Sequence, residues 1–209
     1  IRDYAIIKEM KKIIATPDPR LREKSTKVNH ITDETRQIVA DMIKCSLDWE
    51  KEHPHEISAA MAAPQMGINK RIIIIRDNEE DKSDSSFTAL IDPEVIKTDG
   101  KIIKDHEGCL SVPFIYGLVP RPEKAKIKAK LLDGTEVRIK ANGMLARTLL
   151  HEIDHLDGIL FIDHIKDDKD AFFRLRDDDG ELEKIDYDRE IKDNKELFPD
   201  DEAWHSLPW

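Results

Sequence analysis

Between residues 31 and 52, apolar side chains recur at Ile38, Met42, Ile43 and Leu47 with charged residues between them. That spacing places them on one side of a helix, so the stretch predicts an amphipathic helix. Cys45 falls inside this pattern and reads as a small buried side chain. After a break around Pro54, a run of small residues at 58–63 leads into Pro64, Gln65 and Gly67, a composition that suits close approach of backbones. The period then changes. Residues 71–76 hold four consecutive isoleucines, residues 87–91 and 95–103 are largely apolar, and residues 125–132 and 136–140 alternate on either side of Asp133 and Gly134. These patterns predict β-strands, the last two joined by a hairpin turn at the Asp-Gly pair. The polar stretch 78–86 predicts a surface loop.

A second helix is predicted from Asn142, a candidate N-cap, to about Leu156. Met144, Leu145, Leu149 and Ile153 have apolar spacing there, and Gly158 is placed to end it. Residues 160–165 are apolar enough for a strand or for packing over that helix, and residues 181–197 are read as helical. Pro17 and Pro19 punctuate the start, and no internal repeat is visible.

A length of 209 residues suits one compact domain. Charged residues make up 37% of the chain, close to the 39% that are hydrophobic, so much of the charge must lie on a solvated surface or tail. The net charge of −10 argues against sequence-independent binding to DNA or RNA, which needs clustered Lys and Arg. Nearly all of it sits in residues 167–209, which hold sixteen acidic against seven basic side chains. This divides the chain into a body, residues 1–166, and an acidic C-terminal extension, residues 167–209, partly helical or flexible. A charge run is solvated by default, although Phe198, Trp204, Leu207 and Trp209 offer anchors for docking it on the body or on a partner.

Only Cys45 and Cys109 are cysteines, too few for a disulfide scaffold and compatible with a reducing, cytoplasmic compartment. No run of about 18 apolar residues is present to span a membrane. Residues 1–10 mix charges into the apolar pattern rather than forming a signal core, and the start at Ile1 leaves a removed leader open.

Chemistry concentrates in the second helix. His151 and His155 stand four residues apart, so both imidazoles leave one helix face and can share an ion, with Glu152 beside them as a base for a metal-bound water. Glu107, Gly108, Cys109, Leu110 and Ser111 form the other half. A Cys109 thiolate makes a third ligand and leaves a fourth position for water, as an open catalytic site requires, and no convincing fourth protein ligand lies nearby. Thiolate and imidazole suit zinc by softness and geometry.

These segments resemble the peptide deformylases over residues 11–166. Glu107 through Ser111 and His151 through Gly158 match the second and third family motifs, Ala62, Ala63, Pro64, Gln65 and Gly67 match the end of the first, and residues 17–22 look like the family's amino-terminal stretch. One departure stands out: Ser58 and Ala60 occupy positions where the family usually has glycine. A side chain there is expected to cost about 1 kcal/mol or more if the backbone needs positive φ.

The resemblance implies an α+β fold, antiparallel β-sheets around a central helix that carries the two histidines. It implies hydrolysis of the N-formyl group of the initiator N-formylmethionine of newly made polypeptides, with Fe(II) as the divalent ion and zinc, nickel or cobalt as substitutes. It assigns the oxyanion donors to the Gln65 side chain and the Leu110 N–H. An extended peptide would lie beside the edges at residues 58–61 or 114–117, contacting Ser58, Ala60, Met61, Phe114, Ile115, Gly117 and Leu149. Glu107 and Arg121 are expected to brace the cysteine loop, and Asp154 to orient a ligand. Nascent chains as substrates imply transient contact with ribosomes. Two other readings use the same residues: a zinc protease whose third ligand is not Cys109, and a deformylase-like protein that binds metal or peptide without turnover.

Overall fold

The computed structural model describes residues 13–53, 56–78, 81, 83–176 and 181–199. The expectations for residues 1–10, Pro54, Trp204, Leu207 and Trp209 lie outside them. The first helix, α1 (Asp33–Glu52), starts at Thr32, whose hydroxyl accepts from the Thr35 N–H while Thr35 accepts from the Thr32 N–H. Asp33 and Glu34 in its first turn add favourable charge at the positive end of the helix dipole.

The sheet is antiparallel throughout. Strands β1 (Ala60–Ala62), β2 (Ile72–Arg76), β3 (Phe87–Cys109) and β4 (Val112–Lys130) follow one another in space. The far half of β4 pairs with β5 (Glu136–Asn142), and its near end pairs with β6 (Phe172–Leu175), which continues into β7 (Leu182–Lys184).

The four isoleucines explain how the layers stack. Ile72 and Ile74 enter a cluster with Val39 and Met42 of α1, while Ile73 enters a separate cluster with Leu149 and Ile153 of α2 (Met144–Leu156). Because side chains alternate along a strand, a helix on each face buries Ile72, Ile73 and Ile74 and leaves Ile75 half-buried. Each such side chain contributes roughly 1.5–3 kcal/mol when fully buried.

Several local expectations need correction. The strands expected at 87–91 and 95–103 are one strand, β3, bent by bulges where Asp92 adopts φ 51° and Pro93 interrupts the ladder. Beyond Pro93 no strand pairs with it on the β2 side among the described residues, so Ile96 and Ile102 are exposed despite their apolar character. Asn142 does not cap α2: it is the last residue of β5, opposite Lys124, and the capping position falls to Gly143. Residues 160–165 hold a 3-10 helix (Phe161–His164) rather than a strand. Residues 181–197 contain β7 and a single helical turn, α3 (Tyr187–Glu190), because Leu182 is held in the ladder opposite Leu175 and the helix begins only at the Asp186 cap. Gly158 does follow the end of α2, with φ 76° and so little room that a Cβ would lie 2.3 Å from the Arg22 carbonyl oxygen.

The described part of the acidic segment packs on the body. Phe172, Ile185, Ile191 and Leu197 are buried with Val112, Val119 and Phe161. Between α1 and β2, Arg76 and Glu50 form an ion pair with side-chain exposures of 0% and 7%, and the same Glu50 oxygen accepts the Ser58 N–H at 2.7 Å. Removing the cation strands a buried carboxylate. Arg76→Ala is therefore expected to lower unfolding free energy by about 3–5 kcal/mol in urea titrations. A loss under about 1 kcal/mol would mean that the pair is dispensable.

Candidate metal centre

Cys109 ends β3 at the turn into β4, and α2 runs behind that turn. Gly108 leaves room there for Tyr116, which crosses the hairpin so closely that a Cβ would lie 2.6 Å from its ring and force one of them to shift. From α2, His151 and His155 face the cysteine. The Cys109 Sγ is 3.2 Å from the His155 Nε2, and one ligand atom from each of the three residues lies within 4.8 Å of the others. Sulfur and nitrogen ligands sharing one tetrahedral ion would stand about 3.5 Å apart, so the three fit a single metal.

Glu107 fixes this arrangement. Its carboxylate accepts from Arg121 Nε and Nη2 at 2.9 and 3.0 Å and from Arg147 Nη1 at 2.6 Å, and pairs with His151 Nδ1 at 2.9 Å. That last contact leaves the His151 Nε2 free for a ligand role. Burial opposes ionisation of Glu107, yet its bonds with His151 and Arg121 hold its carboxyl well below the usual range. For His151, burial disfavours the charged ring, but hydrogen bonds to Cys109 and Glu107 raise it well above its ordinary value. His155 lacks that help: burial, with His151 adding to it, lowers it well below the ordinary value.

Glu152 is 4% exposed, and its Oε2 has no hydrogen-bond partner among the described residues. Burial pushes its carboxyl up to about 7, opposed by the nearby His151 charge. Gln65 lies opposite. Its Oε1 accepts the Ala62 N–H at 2.8 Å, which turns its Nε2 toward the Cys109 Sγ at 3.6 Å.

A cavity of about 490 Å³ opens over Cys109, His151 and Glu152, and Gln65 and Leu110 line it. Ser58, Ala60, Phe114 and Ile115 line it as well. Met61, Gly117 and Leu149 do not. Met61 is buried with Met42 and Ile72, Leu149 packs with Ile73 and Ile153, and Gly117 lies against Phe161 and Ile165. In each case the preceding residue, Ala60, Tyr116 or Thr148, lines the cavity and the next position turns toward the core. Asp154 contacts Arg121 and His164 rather than a histidine of the metal cluster.

Sequence reasoning missed Arg147, whose signal was its place one helical turn before His151 on the same face. It missed the Tyr116 hydroxyl donating to Glu56 at 2.9 Å, a contact between distant segments that left no local pattern. The glycine replacements are accommodated. Among the described residues, positive φ outside glycine occurs at Asn29, Asp92 and Phe114, not at Ser58 or Ala60.

An antiparallel sheet around a helix that presents two imidazoles to a thiolate, with a buried carboxyl beside them, defines a hydrolase of the metal-dependent class. The comparisons agree. The family model described as polypeptide deformylase matches residues 10–171. The peptide deformylase of Thermomicrobium roseum is 42% identical over 158 residues, covering 74% of this chain and 85% of that protein. That of Halothermothrix orenii is 43% identical over 148 residues, covering 71% and 88%. A crystal structure of a Synechococcus elongatus peptide deformylase in complex with actinonin superposes with a TM-score of 0.65 at 35% identity, covering 78% of this chain and 83% of that one. The Legionella pneumophila structure gives 0.65 at 32% identity, covering 74% and 85%. The chain belongs to the peptide deformylase family.

Neutralising the brace should loosen the centre without removing a ligand. Glu107→Gln is expected to lower affinity for a divalent ion about 10- to 100-fold in chelator competition. Unchanged affinity would show that the carboxylate does not orient His151.

Proposed function

We propose that this protein removes the N-formyl group from the initiator N-formylmethionine of new polypeptides, converting formyl-Met-peptide and water into formate and Met-peptide. The carrying observation is the convergence of Cys109, His151 and His155 beside the Gln65 amide and a Glu152 oxygen that has no partner among the described residues, all but His155 lining one cavity. Family membership supports the same reaction.

Cys109, His151 and His155 would hold one divalent ion. When bound, the ion supplies Lewis acidity and a water acidified towards neutrality. The family resemblance favours Fe(II), with zinc, nickel or cobalt able to occupy the same donor set. Glu152 takes a proton from the attacking water as its oxygen bonds to the formyl carbon, and later returns it to the leaving amine nitrogen. A carboxyl lifted towards neutrality by burial can do both. The Gln65 Nε2–H and the Leu110 N–H stabilise the oxygen that becomes negative in the tetrahedral intermediate. Glu107 keeps His151 in the tautomer whose Nε2 faces the centre. Ser58, Ala60, Phe114 and Ile115 flank the peptide. Meeting nascent chains brings the protein near ribosomes. Among the described residues no helix is long and apolar enough to cross a membrane.

Formate release from formyl-Met-Ala-Ser by the Fe(II) protein is the direct test. Glu152→Gln should reduce kcat about 10²- to 10⁴-fold while metal analysis shows the ion retained. Gln65→Ala should cost about 10²- to 10³-fold in kcat, again with metal bound. Metal retained in the unaltered protein with no formate released would sink the proposed reaction.

A further inference from the structure

The match to the family model ends at residue 171, and the next residue begins β6. This strand extends the sheet beside the centre: Phe173 and Phe172 pair with Tyr116 and Gly117 of β4. Phe172 points into the core, so alternation puts Phe173 and Leu175 on the other face. Phe173 meets the His106 ring edge-on, with centroids 4.8 Å apart, and His106 and Leu175 both line the cavity above Cys109. The strand is well held. Leu175 pairs with Leu182, Arg174 bonds Glu190, and Ile185, Ile191 and Leu197 anchor the chain that follows.

We propose that this C-terminal hairpin forms the outer wall of the peptide groove, and that Leu175 selects for an apolar side chain among the residues that follow the methionine. The proposal rests on the peptide-substrate reading. Leu175 shares the cavity with Phe114 and Ile115, so a peptide side chain that reaches this part of the cavity meets apolar surface. An aspartate there would lose hydration without gaining a partner from these three side chains. An extended peptide directs alternate side chains to one wall, so the preference appears at one position and not at its neighbours.

The test compares wild type with Leu175→Ala and Leu175→Met on formyl-Met-Ala-Ser-Ala peptides carrying Leu or Asp in turn at the second, third and fourth positions. Wild type should favour Leu over Asp at one of them. Leu175→Ala should shrink that Leu-to-Asp ratio of kcat/KM about fivefold through KM, and Leu175→Met should restore most of it. A ratio unchanged at every position, or equally small for Met and Ala, overturns the proposal. If wild type releases no formate, the reaction reading fails, and the wall is read from calorimetric binding of the same peptides without the formyl group. Leu-peptide binding weakened by Leu175→Ala and restored by Leu175→Met then upholds the wall, and binding that is undetectable or indifferent to residue 175 refutes it.

Discussion

A carboxylate that is almost wholly buried must be met by charge and hydrogen bonds, or its desolvation will oppose folding. Glu107 is met from two other elements at once, by Arg121 of β4 and by Arg147 and His151 of α2. Arg121 reaches it within the long hairpin, and Arg147 and His151 can do so only when that hairpin lies against the helix. That same contact carries Cys109, two residues further on, to within hydrogen-bonding distance of His155. The ligand cluster is thus fixed by a pairing that contains none of the atoms facing the ion except through His151. Arg121 extends the bracing to Asp154, which in turn holds His164 on the 3-10 helix after α2.

Much of this was legible because it depends on local spacing. The four isoleucines read as a strand, as the structure has them, and the two histidines one turn apart required a helix to be useful. What stayed hidden depends on contacts between distant segments. Asn142 has the chemistry of a helix cap, but the β5 ladder holds its backbone and the helix starts after Gly143, whose φ of 60° few other residues adopt readily. Met61 and Leu149 looked like pocket residues because they are apolar and adjoin the motifs. Strand and helix periodicity turns both inward. Leu175 had no motif beside it, and its place on the cavity follows only from the pairing of β6 with β4.

The replaced glycines show how a departure from a family pattern can be absorbed. A glycine is indispensable where φ is positive or where a Cβ would strike fixed backbone, as at Gly158. Ala60 lies instead in the extended ladder opposite Ile75, a conformation any residue adopts. Ser58 is 2% exposed, and a hydroxyl at that depth costs about 1–3 kcal/mol if unpaired. It is paired: its Oγ lies 2.7 Å from the Ser46 Oγ, and its N–H donates to Glu50, both on α1. The helix that covers the outer face of β2 therefore also carries the hydroxyl partner that lets a serine occupy this position, and the groove keeps its edge while residue 58 is tied to the core through both its side chain and its N–H.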